Sequence, residues 1–338
     1  MLVFDGIIFS LQRSGGISVL FLELFQRLHK DLFQVINFNR ELDYGIYRKP
    51  RILERFRDFK LESPCALFHS TYYRLPEAFK GPVVTTVHDY TYERYFGPVR
   101  KFVHSWQKNR AIFGSEKIIC VSESTRADLL YYTGEKYESR CVVIPNGVST
   151  EYHRLASFTP TSQVLFVGAR AGYKNFKALV LALSTLPDLR LAVVGGGAFT
   201  SKERGFLEAH LSNRYAHLGY LSNRELNVEY NRSFCLVYPS LYEGFGIPIL
   251  EAMRAGCPVI AVRSSSIPEV AGDAAYLMER GDPCEIRAAL DFLNSSPNRA
   301  EFIRKGLERS AQFSWDRTFD RTLAVYEQLL GHQLMERE

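Results

Sequence analysis

The sequence predicts an α/β protein made of two doubly wound, Rossmann-like domains, and three observations carry that prediction. Short continuous apolar runs alternate with helical patterns along the chain, as in parallel strands covered on both faces. The alternation stops at a polar, helix-poor stretch, STEYHRLASFTPTSQ (149–163), and then restarts. With 338 residues, 46% of them apolar and 23% charged, the chain has the length and composition for two such cores.

In the first half, strands are predicted over 2–9, 34–38, 66–69, 83–88, 117–121 and 141–144, and helices over 16–29, 99–113 and 123–132. In the second half, strands are predicted over 164–167, 189–194, 235–238 and 258–262, with helices starting near Lys174, Ser222, Pro248 and Pro283. Ser222 and Glu225 have capping-box spacing, and Asp282 is an N-cap followed by proline at the first helical position. The domains are expected at 1–158 and 159–313, with a final helical segment in 314–338 that can pack on either. Sheets of this kind bind ligands at the carboxyl ends of their strands, so the two domains are expected to face each other across a cleft.

Charge and cysteine usage narrow the class. The net charge of +5 lies in residues 1–158, which hold 22 basic against 17 acidic residues; the remainder is balanced at 20 against 20. The excess is densest in YRKPRILERFRDFK (47–60) and VRKFVHSWQKNR (99–110), where basic and apolar residues mix. Such stretches suit an anionic membrane surface or a solvated helix face; nucleic acid is not expected, since no binding motif accompanies the charge. Six scattered cysteines without a CxxC pair favour buried thiols over disulfides or zinc. No apolar run reaches bilayer-spanning length, and the opening residues carry no basic region of a signal peptide. A cytoplasmic protein, peripheral at most to the membrane, is expected.

The densest chemistry lies in SLYEGFGIPILEA (240–252), between a strand and a helix. Gly244 and Gly246 let backbone N–H groups approach an anion, and the following helix start favours its charge. Glu243 and Glu251 bracket this turn. A carboxylate at a strand end accepts hydrogen bonds from neighbouring sugar hydroxyls; the alternative is plain acidic charge near a helix start. LFVGARAGYKNFKAL (165–179) ends a strand at Gly168 and places Arg170, Lys174 and Asn175 on the loop to the next helix, where cations can clamp a diphosphate. In the first half, SGGIS (14–18) holds Gly15 and Gly16 on a short loop, and TTVHDY (85–90) puts His88 and Asp89 at a strand end. VIPNGV (143–148) reads as a structural turn, and VVGGG (193–197) as close backbone packing. LGYLS (218–222), with Tyr220 and Leu221, precedes a capped helix and can present backbone groups to a flat base.

Together GGIS, VHD (87–89), VSESTRADL (121–129), IPNGV (144–148), FVGARAGYKN (166–175) and above all EGFGIPILEA (243–252) resemble family-4 glycosyltransferases of the two-Rossmann-domain, GT-B type. The resemblance spans essentially the whole chain. It implies transfer of a hexose from a nucleotide-diphosphate sugar with retained anomeric configuration and without a metal or other cofactor. By that resemblance Glu251 holds the ribose, while Glu243 with Gly244, Phe245, Gly246 and Ile247 contacts the donor sugar and phosphates. Arg170 and Lys174 neutralise the leaving diphosphate beside Asn175. Gly15 and Gly16 approach the donor from the first domain, His88 and Asp89 line the reacting centre, and Tyr220 and Leu221 lie near the base. One departure concerns the basic clamp: many relatives have arginine directly before the KN lysine, and this chain has Tyr173.

The look of the chain is similar to bacterial surface-polysaccharide enzymes, many of them mannosyltransferases. GDP-mannose is the favoured donor, with UDP-hexoses, UDP-N-acetylhexosamines and dTDP-rhamnose open, and a saccharide or lipid-linked saccharide is the expected acceptor. A nucleotide-sugar epimerase on the same architecture and a non-catalytic binding subunit are the main alternatives. A retaining glycosidase is disfavoured by the glycines and basic clamp, and a dehydrogenase by the lack of G-x-G-x-x-G with a downstream acid.

Overall fold

The computed structural model describes all residues except 13–14, 41, 43, 63, 157–158 and 336–338. Internal contacts divide it into two units, Met1–Gly147 with Trp315–Glu338, and Val148–Ser314.

The first unit is a seven-stranded sheet in the order β3-β2-β1-β4-β5-β6-β7. Its strands are β1 (Leu2–Phe4), β2 (Phe33–Asn37), β3 (Ile46–Tyr47), β4 (Leu67–Ser70), β5 (Val83–Val87), β6 (Lys117–Cys120) and β7 (Cys141–Val143). All pairs are parallel, and β1, β4 and β5 are buried along their whole length, the polar His69, Ser70, Thr85 and Thr86 included. The strand predicted over 2–9 stops at Phe4. Asp5 is fully buried, its carboxylate accepts from Thr71 N and Thr71 Oγ1 (both 2.7 Å), and Gly6 turns the chain at φ +49°. The apolar residues beyond form a short helix, Ile8–Leu11.

The second unit is a six-stranded parallel sheet in the order β10-β9-β8-β11-β12-β13. Here the strands are β8 (Gln163–Val167), β9 (Arg190–Val194), β10 (Tyr215–His217), β11 (Cys235–Tyr238), β12 (Val259–Val262) and β13 (Tyr276–Met278). Val164, Phe166, Leu179, Val193, Val237 and Ile260 form the heart of its core. At 1.5–3 kcal/mol for each large side chain removed from water, roughly, this core is the main support of the sheet. Helix Ser201–Leu211 was not expected, because it buries only Leu207 and Leu211 and so carries almost no apolar periodicity. Its start is set instead by a Thr200–Glu203 capping box.

The polar stretch after 148 is docked rather than free. Tyr152 is buried with its hydroxyl donating to Asn223 Oδ1 (3.0 Å), and His153 N and Leu155 N donate to Asn227 and Asn231 of helix Asn223–Arg232. The expected boundary at 158–159 falls partly on residues outside those described, and the change of unit comes earlier, after Gly147. The final helix, Trp315–Leu330, belongs to the first unit. It buries Trp315, Phe319, Leu323 and Tyr326, and Thr318 Oγ1 donates to Pro145 O at 2.8 Å.

Candidate active site

In the second unit the strand order reverses between β8 and β11, so their following loops diverge and leave a crevice at the carboxyl edge. Both motifs singled out in the sequence lie on those two loops. Lys174 closes the turn after β8, and Glu243 lies on the loop after β11. Lys174 Nζ donates to Glu243 Oε1 at 2.5 Å, with 13% and 12% of the two side chains exposed. Tyr238 also hydrogen-bonds the Glu243 carboxylate, and the Lys174 ammonium lies 5.4 Å from the Tyr238 ring centre. A cation and an anion thus hold each other in the crevice, each a hydrogen-bonding group for a polar ligand.

Three consecutive serines fix the Glu243 loop. Ser264 Oγ donates to Leu241 O (2.5 Å), Glu243 N donates to Ser265 Oγ (2.8 Å), and Ser266 Oγ donates to Glu243 O and Phe245 O (both 2.9 Å). Phe245 and Gly244 are buried, and Gly246 at φ +103° starts helix Ile247–Arg254, with Ile247 partly exposed. That conformation is strained for any residue with a Cβ, which explains the glycine.

Glu251 stands one turn into this helix. Its Oε2 accepts from Tyr230 Oη at 2.9 Å, and Tyr152 also hydrogen-bonds it. The residue keeps part of its surface exposed, but dense protein around the carboxyl raises its pKa to about 7, against the opposing pull of the two tyrosines. A carboxylate that accepts from the Tyr230 phenol and is burdened by burial gains from further hydroxyl donors.

The remaining second-unit residues are engaged as braces. Arg170 is 4% exposed in its side chain; its Nε donates to Glu203 Oε1 (2.7 Å) and its terminal nitrogens donate to the carbonyls of Gly195, Gly196, Gly197 and Ala198 at 3.0–3.3 Å. Gly195, Gly196 and Gly197 all have positive φ, which turns these carbonyls toward one guanidinium. Asn175, itself left-handed at φ +55°, donates from Nδ2 to Gly281 O at 2.8 Å. Tyr220 is 71% exposed and Leu221 partly so; they follow Gly219, whose carbonyl accepts from Gly195 N at 2.8 Å.

In the first unit, His88 and Asp89 follow β5. His88 is buried, burial lowers its imidazole to about 4, and its Nε2 has no hydrogen-bond partner among the described residues. An unsatisfied buried nitrogen is costly and is a natural point for a ligand hydroxyl. Asp89 Oδ1 accepts from Thr91 N (2.8 Å) at the start of helix Thr91–Tyr95, and Asp89 O accepts from the buried Lys108 ammonium (2.7 Å). Gly15 and Gly16 open helix Gly16–Arg27; Gly15 N donates to Ser18 Oγ at 3.1 Å, while Ser14 lies outside the described residues.

A family model for glycosyl transferases group 1 matches residues 151–309, and one for glycosyltransferase family 4 matches residues 21–152. The O-antigen chain mannosyltransferase B of Escherichia coli is 29% identical over 289 residues, 78% of this chain and 74% of that protein. This chain belongs to glycosyltransferase family 4. The MMP alpha-(1->4)-mannosyltransferase of Mycolicibacterium hassiacum is 36% identical over 225 residues, 64% of this chain and 54% of that protein, so the chain spans about half the length of that relative. Among solved structures, sucrose-phosphate synthase from Thermosynechococcus elongatus aligns with a TM-score of 0.80 at 18% identity, covering 98% of this chain and 99% of its own. HepE from Anabaena in complex with UDP-glucose gives 0.76 at 16%, covering 97% and 99%. The fold of this family-4 glycosyltransferase is thus of the GT-B type.

Sequence reasoning picked out both members of the Lys174–Glu243 pair and missed the groups that set their positions. Ser264, Ser265 and Ser266 are a visible SSS run whose bonds span more than 20 residues of chain. Tyr152 and Tyr230, the partners of the glycosyltransferase's Glu251, sit in unremarkable contexts with no motif to mark them.

Proposed function

We propose that this glycosyltransferase moves a hexose, with GDP-mannose as favoured donor, onto a saccharide or lipid-linked saccharide of a bacterial surface polysaccharide, keeping the anomeric configuration and using no metal. The observation that carries this reading is the Lys174–Glu243 pair at the strand-order reversal of the second unit. Mannosyl transfer in O-antigen synthesis is favoured by the E. coli relatives, the O-antigen chain mannosyltransferase B and the serotype-specific mannosyltransferase WbdA.

In this reading the donor diphosphate takes Lys174 as a counter-cation, leaving Glu243 to hold the sugar beside the backbone of Gly244, Phe245, Gly246 and Ile247. Glu251 accepts from the ribose hydroxyls. His88 offers its unpartnered Nε2 to a sugar hydroxyl, with Asp89 shaping its turn, while Gly15 and Gly16 approach the donor and Tyr220 and Leu221 border the base. Arg170 and Asn175 act on the donor through the loops they brace. Departure of the diphosphate develops negative charge that the Lys174 ammonium stabilises, and one such preorganised donor is worth ~3 kcal/mol. The departing phosphate oxygen takes the acceptor hydroxyl's proton as the new bond forms on the same face, so no enzyme nucleophile is needed.

Thermal-shift screening against GDP, UDP and dTDP sugars identifies the donor, because a ligand of the native state raises the melting temperature with its concentration. With that donor, Lys174→Ala lowers kcat by a hundredfold or more, roughly, while the fold is kept, and EDTA leaves wild-type turnover unchanged. Near-normal turnover by Lys174→Ala overturns the site assignment, and EDTA inhibition reversed by a divalent ion overturns metal independence.

A further inference from the structure

The two basic, apolar stretches of the first unit adjoin in the structure. Helix Pro98–Phe113 carries no acidic residue. Along it Val99, Phe102, Val103 and Trp106 recur at spacings of three and four, and they are 75%, 72%, 38% and 49% exposed. Its opposite face holds the buried His104, Lys108, Ala111 and Ile112. The exposed stripe is therefore a separate, apolar face on a helix already anchored by its opposite side. Arg100 borders the stripe, and among the described residues it has no acidic partner.

Beside the helix runs the loop around residues 51–58. Gln107 Nε2 donates to Arg55 O at 2.6 Å, and Arg110 donates to both carboxylate oxygens of Asp58 at 2.8 Å. This loop exposes Ile52 (84%) and Leu53 (67%), the latter in the left-handed region at φ +58°. Such a backbone is unfavourable for leucine and persists only where the surroundings impose it. They do so here. The fully buried Arg74 donates to Arg57 O (2.8 Å) and Glu54 Oε1 (2.6 Å), and Glu54 in turn accepts from Arg51 N and its guanidinium. A buried ion cluster thus holds two aliphatic side chains out toward water.

We propose that this face, formed by helix Pro98–Phe113 and the 51–58 loop, docks on the surface of a bilayer containing anionic lipid. Phe102, Trp106, Ile52 and Leu53 enter the interfacial layer while Arg100 meets the headgroup charge. Membrane surfaces select for this combination of exposed apolar residues and unneutralised cations. A second copy of the chain is the poorer occupant, because a two-fold contact through this stripe sets Arg100 near its own copy. No described helix is long and apolar enough to cross a membrane, so attachment through this face is superficial. The face gives a lipid-linked acceptor a surface to rest on, but the proposal stands on the face alone and not on the transfer reaction.

The full chain is tested by co-sedimentation with vesicles of equal phosphatidylglycerol and phosphatidylcholine, and with phosphatidylcholine alone. The chain has two tryptophans, and Trp315 is buried, so a blue shift of emission on vesicle addition reports Trp106. Binding to the anionic vesicles, weakened by salt and accompanied by that shift, is expected. The exposed-site variants Phe102→Asp and Arg100→Glu reduce partitioning about tenfold or more when combined, with melting temperature and nucleotide-sugar binding unchanged. No binding to anionic vesicles at low salt, or equal binding by the double variant, overturns the proposal. A concentration-dependent dimer dissociated by Phe102→Asp, with no vesicle binding, assigns the face to a second copy instead. Loss of donor binding in Lys174→Ala leaves vesicle binding untouched, which separates this test from that of the transfer reaction.

Discussion

Glu251 is held where its charge is costly. Its carboxyl titrates near 7 in the folded chain against about 4.5 when free, so the native state binds the extra proton between those values. Stability from this group is therefore complete below pH 4.5 and declines as pH rises to 7. Glu251→Gln removes that penalty while keeping an acceptor for the Tyr230 hydroxyl. At pH 8 it raises stability by at most about 3 kcal/mol, and the gain vanishes near pH 4.5. If the carboxylate holds a ribose, the same variant weakens donor binding. Denaturant titrations at the two pH values, paired with calorimetric donor binding, check both effects; a variant less stable than wild type at pH 8 contradicts the assignment of cause.

At the scale of elements, the glycine-rich loop after β9 depends on Arg170. One guanidinium serves four consecutive carbonyls and Glu203, and the Phe199 ring lies 4.8 Å below it. Arg170→Ala leaves those carbonyls to water and costs about 1–3 kcal/mol, with faster amide exchange over 195–199. Lysine restores little, since it lacks the planar fork. Unchanged exchange in Arg170→Ala contradicts a bracing role. Arg170 also shows where sequence reading ends. The alternation of strand and helix was legible because both sheets are parallel and buried, and the Lys174 and Glu243 loops were legible because local glycines and charges mark them. The partner of Arg170 is another loop 25 residues away, and that of Asn175 is Gly281, 106 residues away. Such pairings leave no local spacing to read. Short strands such as β10 and β13 were missed for a related reason: they are brief and only partly buried, so no continuous apolar run marks them.

Buried groups in the two units respond to mild acid in opposite senses. In the first, burial lowers His69 to about 3, with neighbouring His88 adding to the effect, and His88 to about 4. Each keeps the folded state from taking a proton that the unfolded chain accepts near 6.5, so stability falls as pH drops from 6.5 toward 3–4. In the second unit, the Glu251 contribution strengthens over part of that range. Both tryptophans belong to the first unit, whereas circular dichroism reads helices in both. On acidification, tryptophan emission is expected to shift before ellipticity is lost; coincident transitions contradict this division.

The path of the chain through its two units has a consequence for synthesis. The second unit is contiguous and has all its strands by the time Ser314 is made. The first unit begins at the first residue but is completed only by helix Trp315–Leu330, whose Tyr326 hydroxyl meets His69 Nδ1 at 2.5 Å beside Phe4. Until the last turns of that helix leave the ribosome, the first unit keeps an open seam over its central strands. Of the two units, the one whose strands are translated earlier is completed later, and a chain released before residue 315 carries a complete second unit joined to a first without its closing helix.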